Sequence, residues 1–472
     1  MDKYSTFQES INKAVDKFKS WDKNKTIRII SHLDADGISA SAILIHVLNK
    51  ENRKYSISII PQLNREKIIE LSKENYPYFI FTDLGSGQIK ELNELLNKEI
   101  IVLDHHKLDD AKANKNIIHI NPHLQKIDGS KEISGAGVAY LFAVKLNKKN
   151  KELAHIPVIG AIGDVQEEKG EFLKMNKEIL QDAIANNKIE VKKGLRLFGM
   201  QTKPLHKVLE YCTDPYIPGV SGSESGAIQF LHQIGIEPKI GSAWKKVIHL
   251  TDSEMKKLVT GIIMKRINET KPEDVLGNIY LLPHEQKESP TKDAREFATL
   301  LNACGRMEKA SFGIGACLGI KKDIQRALQT LAEYKKEIVT AINWYHDNKT
   351  SRDITKENGL LIINAKDNIS PTIIGTLASI ISKSNSLKKN TYILSLARTL
   401  EKTTKVSLRI SANDEDIDLR DVLKEIVAAA GGEFGGHQYA AGALIETKHE
   451  EKFIKAAKEI LKNKSLEDTI GA

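Results

Sequence analysis

The sequence predicts an α/β protein: a doubly wound domain on a parallel sheet, followed by a smaller second α/β domain. Three observations carry this. Short apolar runs recur at Thr26–Ile30, Tyr55–Ile60, Tyr78–Thr82, Glu99–Leu103 and Asn116–Ile120. Several lack polar alternation, as strands buried on both faces of a parallel sheet do. The segments between them, Ile38–Asn49, Arg65–Glu74 and Gln88–Asn97, repeat apolar residues with the helical period. A second alternation of strands and helices follows the polar stretch Asp347–Arg352. Strands alternating with helices argue for a wound sheet covered on both faces.

Taken in order, Met1–Ser20 reads as an amphipathic helix with Phe7, Ile11, Ala14, Val15 and Phe18 on one face. It lacks the apolar centre of a signal peptide. The five strands and their helices follow. Ser134-Gly135-Ala136-Gly137-Val138-Ala139 opens another helix. Such a start either binds phosphate through its free N–H groups or lets the helix pack closely on the sheet. Lys188 to Pro290 reads as looser, with turns at Asp214-Pro215, Ile217-Pro218-Gly219 and Ser221-Gly222-Ser223. Ala294–Arg306 is a helix ending near Gly305. Lys322–Tyr345 is a long amphipathic helix with Ile324, Leu328, Leu331, Tyr334, Ile338, Ile342 and Tyr345 at three- and four-residue spacing. The last part gives strand Gly359–Asn364, helix Pro371–Ser382, strands Thr391–Ala397 and Lys405–Ser411, helix Leu419–Ala430, a Gly-rich loop, strand Tyr439–Glu446 and helix His449–Lys462. The expected domains are 1–200 for catalysis, 201–320 as a mostly helical connector, 321–350 as a linker helix and 351–472 for substrate binding.

The 472 residues allow two to four domains, with 41% apolar residues to fill their cores. No run of about 18 apolar residues occurs, so no transmembrane helix and no membrane partner are expected. Cys212, Cys304 and Cys317 are the three cysteines, none closely spaced. They exclude a disulfide framework and a CxxC zinc site, and suggest a cytoplasmic location. The net charge of +8 fits a polyanionic partner or a lysine-rich solvated surface. Aromatic residues are only 6% of the chain, with no aromatic-rich nucleic-acid platform evident.

The chemistry sits at the ends of the apolar runs. His32-Leu33-Asp34-Ala35-Asp36-Gly37, Asp83, Asp104-His105-His106 and Asp164 each follow one. Ligands bind at the carboxyl ends of strands in such sheets. Carboxylates with imidazoles suit Mn²⁺ or Mg²⁺ better than thiolate-seeking ions. Two cations sharing a carboxylate are suited to phosphodiester hydrolysis, lowering the pKa of a water and offsetting phosphate charge. Farther on, Arg295, Asn302 and Arg306 share one helix face. They form either a polar face or a set of backbone contacts to a nucleic-acid strand. Gly431–Gly442 is either a tight turn or a close approach to phosphate. His123 lies in a loop near the acidic motifs.

These motifs resemble the DHH phosphoesterase superfamily. His32–Gly37, Thr82-Asp83, Asp104-His105-His106 and Gly163-Asp164 look like its four N-terminal motifs. Gly435-Gly436-His437-Gln438-Tyr439-Ala440-Ala441-Gly442 looks like the signature of the DHH-associated domain, and Lys405–Arg409 like its substrate-contacting strand. The block from Asp293 to Arg306 looks most like archaeal RecJ-like exonucleases, including those associated with the GINS replisome complex. The resemblance implies one metal held by His32, Asp34 and Asp83, and a second by Asp36, Asp83, His105 and Asp164. Bacterial RecJ has an acidic residue where this chain has His32. The resemblance gives His106 to the scissile phosphate, Asp104 to the orientation of an imidazole, and Arg409, Gly435, Gly436 and His437 to substrate. With Asp36, Asp83, His105, His106 and Asp164 as the catalytic set, it implies a two-lobed exonuclease of single-stranded DNA or RNA with a cleft between the lobes. Two divalent ions are implied, Mn²⁺ ahead of Mg²⁺. The alternatives are an oligoribonuclease or cyclic-dinucleotide phosphodiesterase, a pyrophosphatase, or a replisome scaffold on GINS. The turn-rich region around Asp214–Ser225 is the expected partner surface.

Overall fold

In a computed structural model of the protein, residues 2–470 are described except 213–214, 270, 358, 385–386 and 412–416, and side chains except those of 437 and 465–470. The chain forms two compact units, Met1–Leu331 and Ala332–Ala472.

The first unit opens with α1 (Lys3–Ser20), which buries Phe7, Ile11, Ala14, Val15 and Phe18 as the periodicity predicts. Then come β1 (Ile27–His32), α2 (Ala35–Lys50), β2 (Tyr55–Ile60), α3 (Arg65–Ser72), β3 (Tyr78–Thr82), α4 (Ile89–Leu95), β4 (Glu99–Leu103) and β5 (Ile117–Ile120). The five strands form one sheet in the order β2-β1-β3-β4-β5, every pair parallel. On one face Ile30, Phe79, Phe81, Ile100 and Val102 pack with Ile68, Leu71, Ile89 and Leu92 of α3 and α4. Each such side chain contributes about 1.5–3 kcal/mol on full burial. The other face is covered by α1, α2 and α5 (Gly135–Leu146). The helix α2 is buried along most of its length, because α5, α6 (His155–Gly163), α11 (Ala294–Arg306) and α12 (Ala310–Cys317) surround it.

Strand order reverses between β1 and β3, the switch point at which such sheets bind ligands. Register aligns the strand ends there. Ser31 pairs with Thr82, Thr82 with Leu103 and Leu103 with Ile120. The next residues, His32, Asp83, Asp104 and Asn121, therefore leave the sheet in one row.

After α6 a two-residue strand pair, β6 (Glu167–Glu168) and β7 (Glu171–Phe172), leads into α7 (Lys174–Ala185). The stretch expected to be loose is folded. β8 (Glu190–Leu195) pairs antiparallel with β11 (Leu276–Leu281). Between them lie α8 (Leu205–Glu210), α9 (Glu224–Gln233), the hairpin β9 (Lys239–Ile240) and β10 (Ala243–Trp244), and α10 (Asp252–Lys265). They enclose a core of their own that includes Leu209, Phe230, Leu258 and Ile262. Its helices are short and cut by turn residues, so periodicity in sequence was weak. Thr213 and Asp214, within the expected partner surface, lie outside the described residues.

The helix α13 (Lys321–Asp347) crosses from the first unit into the second. The second unit adds β12 (Ile354–Glu357), β13 (Leu360–Asn364), α14 (Pro371–Ser382), β14 (Tyr392–Arg398), β15 (Thr403–Ile410), α15 (Leu419–Ala430), β16 (Glu433–His437), β17 (Ala440–Glu446) and α16 (Glu450–Ile470). Its sheet is mixed, in the order β12-β13-β14-β15-β17-β16, with only β13 and β14 parallel. The expected Gly-rich loop is instead a hairpin. Gly435 pairs with Gly442 and Gly436 with Ala441 at the sheet edge, around a turn at Gln438-Tyr439. Edge strands tolerate glycine, which hid β16 in the sequence. No helix among the described residues is long and apolar enough to cross a membrane.

Candidate metal centre

Asp34 caps α2, its Oδ1 accepting from the Gly37 amide at 3.0 Å. That leaves Oδ2 facing His32 Nδ1 at 2.8 Å. A side chain at Gly37 would meet the His32 carbonyl at 2.3 Å, so the turn needs glycine. Asp83 follows β3 at φ +57°, a left-handed conformation uncommon outside glycine and asparagine. Its Oδ2 lies 3.7 Å from His32 Nδ1, and its Oδ1 lies 3.2 Å from His105 Nε2. His105 Nε2 also lies 3.2 Å from Asp164 Oδ2 and 3.7 Å from Asp36 Oδ2. Within these sets, donor atoms of His32, Asp34 and Asp83 lie within 4.8 Å of one another, as do those of Asp36, His105 and Asp164. Asp83 thus faces both groups.

The surroundings aim these side chains. His105 Nδ1 donates to the Gly129 carbonyl at 2.7 Å, which turns Nε2 into the centre. Fixing a histidine through its other nitrogen is how protein shells orient metal ligands. Gln166 donates to the same carbonyl at 2.9 Å, and Asn176 donates to Gln166 Oε1 at 2.7 Å. Asp104 is fully buried. It accepts from the Ser86 amide at 2.8 Å, the His105 amide at 2.8 Å and His106 Nδ1 at 2.8 Å. It thereby holds the His106 ring by Nδ1. Asn121 donates to Ser86 Oγ and to the His106 carbonyl. Gly129, Gln166, Asn176, Ser86 and Asn121 carry no motif. Only the nearness of Gln166 to Asp164 could have drawn attention.

The Gly-rich helix start has a definite occupant. The Gly135 and Ala136 amides at the start of α5 donate to the Asp36 carboxylate at 2.6 and 3.1 Å. A side chain at Gly135 would meet Asp83 Oδ1 at 2.5 Å, and one at Gly160 would meet Asp36 Oδ1 at 2.3 Å. These glycines let backbone approach the carboxylates.

Charge is concentrated here. Burial, with Asp83 and Asp164 close by, holds the Asp36 carboxyl well above its usual value. Burial works against protonated His32 and His105. For His32 the carboxylates of Asp34 and Asp83 outweigh it, and for His105 those of Asp164 and Asp83, so both sit well above the usual imidazole value. Burial would raise Asp104, but His106, His105 and the Ser86 amide hold it far below the carboxylate range. Both Asp83 oxygens, His105 Nε2 and His32 Nδ1 are buried, and among the described residues their close contacts with one another, Asp34 and Asp164 are ion-pair contacts that lack hydrogen-bond angles. Buried carboxylates are costly unless neutralised. Cations at this all-oxygen-and-imidazole set would supply the missing partners, so the residues fit divalent ions of the Mn²⁺ or Mg²⁺ kind.

Residues expected on the substrate fall differently. Arg295 forks onto Glu167 at 2.8 and 2.7 Å and donates to the Asn278 carbonyl. Asn302 Oδ1 accepts from the Ala35 amide at 2.9 Å. A side chain at Gly305 would overlap the Leu33 carbonyl. The face of α11 is polar because it meets the loops bearing Asp34–Asp36 and Asp164. Arg306 lies half-buried at the end of α11. In the second unit, Arg409 donates to Ser379 Oγ at 2.9 Å and to the Leu408 and Ala441 carbonyls at 2.8 and 3.2 Å. It thereby ties α14 to the Gly435–Gly442 hairpin. The side chain of His437 lies outside the described residues. His123 is half-buried. Its Nε2 would lie 2.9 Å from a side chain at Gly129.

Comparison with known proteins gives three domain matches. Residues 26–161 match the DHH family N-terminal domain, 197–279 the DHH-CID domain and 358–463 the DHHA1 domain. An uncharacterized protein of Methanocaldococcus jannaschii is 32% identical over 96% of this chain and 97% of its own length. The single-stranded-DNA-specific exonuclease RecJ of Bacillus subtilis is 26% identical over 35% of this chain, but only 22% of RecJ is spanned. CDC45 of Entamoeba histolytica shares the fold over 98% of this chain and 99% of its own, with a TM-score of 0.65 at 14% identity. RecJ of Thermus thermophilus in complex with Mn²⁺ matches 97% of this chain and 55% of its own, with a TM-score of 0.57 at 17% identity. The chain thus spans about half of that RecJ.

Proposed function

We propose, since the chain belongs to the DHH family and carries its DHH, DHH-CID and DHHA1 domains in that order, that it is a metal-dependent phosphodiesterase acting as an exonuclease on single-stranded DNA or RNA. The observation that carries this is Asp83, buried, with both oxygens lacking hydrogen-bond partners among the described residues and facing two ligand groups. RecJ of Bacillus subtilis, whose name records single-strand exonuclease activity, is among the relatives similar in sequence to part of this chain.

His32, Asp34 and Asp83 would hold one divalent ion, and Asp36, Asp83, His105 and Asp164 a second. Such ions supply Lewis acidity toward phosphate and lower the pKa of water. The protein does the rest. Asp83 serves both groups through its two oxygens. The α5 amides keep Asp36 aimed inward, and Gly129 fixes His105 with Nε2 inward. Asp104 holds His106 by Nδ1 and favours its protonated form, and in that imidazolium Nε2–H is left to donate to a phosphate oxygen. Arg295 and Asn302 position the ligand loops. Arg409, Gly435, Gly436 and His437 contact the phosphates of the strand.

The test is digestion of end-labelled DNA and RNA oligonucleotides of several lengths with Mn²⁺, Mg²⁺ or chelator. Progressive, metal-dependent shortening of single strands is expected. Hydrolysis confined to dinucleotides would favour an oligonucleotide or cyclic-dinucleotide phosphodiesterase. A second reading, docking on a GINS replisome complex, draws on the near end-to-end fold match with CDC45. Co-purification with the host's GINS subunits tests it.

A further inference from the structure

No stretch of sequence groups the few aromatic residues, but the fold does. Phe198, Tyr211 and Trp244 lie in the DHH-CID domain with 38%, 53% and 38% of their surface exposed. Each carries a lysine over its ring. Lys203 Nζ sits 4.7 Å from the Phe198 ring centre and 4.5 Å from that of Tyr211, between two exposed rings. Lys239 Nζ sits 4.6 Å over Trp244. Further contacts join them into one face. Lys207 reaches the Tyr211 ring at 5.7 Å and pairs with Glu224 at 2.9 Å, and the neighbouring His206 packs on Trp244 at 4.0 Å between ring centres. His206 is buried, so a fixed imidazole backs the Trp244 ring.

The face is anchored to the catalytic unit near the metal centre. The Gln201 amide donates to Glu296 at 2.9 Å and the Thr202 hydroxyl also donates to Glu296. Glu296 is buried in the first turn of α11. Six residues on, Asn302 holds the Ala35 amide between Asp34 and Asp36. Six helical residues rise about 9 Å. The segment that brings Lys203 between its two rings is therefore fastened one to two helical turns from the ligand loop, a span an unpaired strand of a few nucleotides covers.

Interleaved aromatic rings and lysines are the surface on which single strands stack. Two exposed rings that share one ammonium offer a planar base a stacking face when that ammonium swings to a phosphate. The lysines then turn to the phosphates.

We propose that this face of the DHH-CID domain is a stacking track for single-stranded nucleic acid, with one base on Phe198 and Tyr211 and another on Trp244. The proposal rests on the reading of the chain as an enzyme of single strands. Fluorescence anisotropy of a labelled oligonucleotide of about twenty nucleotides, measured in chelator so that nothing is cleaved, tests it. Stacking of one base is worth roughly fivefold to a hundredfold in affinity. Tyr211→Ala and Trp244→Ala should each weaken binding by that much, and Tyr211→Phe should restore it. Mn²⁺-dependent hydrolysis of a dinucleotide, too short to reach the face, should be unchanged. Wild-type affinity in a folded Phe198→Ala/Tyr211→Ala double variant overturns the proposal, including where that variant instead loses a protein partner. Tyr211-dependent strand binding in a wild type that cleaves nothing supports the track and overturns the enzymatic reading.

Discussion

Replacing Asp83 by Asn probes the centre where the two ligand groups meet. Position 83 adopts a left-handed backbone, which Asn tolerates better than Ala, so the change removes charge with little strain. Asp83 Oδ1 and Oδ2 face His105 and His32 at 3.2 and 3.7 Å. A neutral amide offers one oxygen and no anion to two cations. An ion binding only the folded state at a hundred times its Kd stabilises by about 2.7 kcal/mol, hence roughly 5 kcal/mol for two sites. At about 2 °C per kcal/mol, saturating Mn²⁺ should raise the wild-type Tm by about 10 °C. In Asp83→Asn the rise should shrink to about 2 °C or less, and hydrolysis should fall by at least about a hundredfold. In the metal-free variant two opposing changes meet. Donor atoms of Asp34 and Asp83 lie within 4.8 Å, and two like charges at that distance repel by about 3–4 kcal/mol at an effective dielectric of 20. The lost attraction to His105 and His32, at 3.2 and 3.7 Å, opposes that relief with at least equal size. Thermal melts with and without MnCl₂, with metal content measured on the same samples, decide it. A variant that keeps both ions and the full rise refutes the bridging role.

Metal-free protein should lose stability as pH rises from about 5 to 8. Folded Asp36 keeps a proton above 3.8, and folded His32 and His105 keep theirs above 6.5, where the unfolded groups have released them. The native state then holds more protons, so stability falls as pH climbs through the raised values, while Asp104 is ionised in both states throughout that window. Metal affinity should change in the opposite sense, because ligands must be deprotonated; melts in a pH series with and without Mn²⁺ check both slopes, and metal-free stability that increases with pH contradicts them. Gly135→Ala should cut Mn²⁺ affinity by about tenfold or more with helix content by circular dichroism unchanged, since the new methyl would sit 2.5 Å from Asp83 Oδ1; normal affinity would mean the carboxylates shift freely. Arg409→Ala and His437→Ala should raise the KM for single strands and leave the metal-dependent Tm rise intact, and wild-type kinetics in both would remove the second unit from substrate handling.

The strands of the wound sheet were legible because they are uniformly apolar. Buried on both faces, Phe79, Ile80 and Phe81 leave no polar position to blur the run. The residues gathered at the candidate centre were legible for the same reason, as polar residues at the end of each run. Burial of the ends was not. Asn121 ends the row next to Asp104, but an asparagine after a strand is ordinary. Its contacts to Ser86 and the His106 carbonyl depend on register across three strands. β16 stayed hidden because Gly435 and Gly436 lack side chains to alternate. The DHH-CID core stayed hidden because α8 spans only six residues and α9 ten, too few turns to show a period. The aromatic face illustrates the limit most directly. Phe198, Tyr211 and Trp244 are scattered in sequence, and only the packing of α8 against α9 and the β9–β10 hairpin brings their lysines and rings together.

The start of α5 shows how the centre keeps so many carboxylates in place. A helix N-terminus carries about half a positive charge and free amides. In this protein the Gly135 and Ala136 amides face Asp36 rather than a bound phosphate. Asp36 needs them, since burial and its neighbours Asp83 and Asp164 all disfavour its charge. The helix start aims the carboxylate and partly offsets that cost before any cation arrives. The glycines follow from the same demand. A side chain at Gly135 or Gly160 would occupy the space of an Asp83 or Asp36 oxygen. The sequence Ser134–Gly137 is therefore a support for the Asp36 and Asp83 carboxylates rather than a phosphate loop.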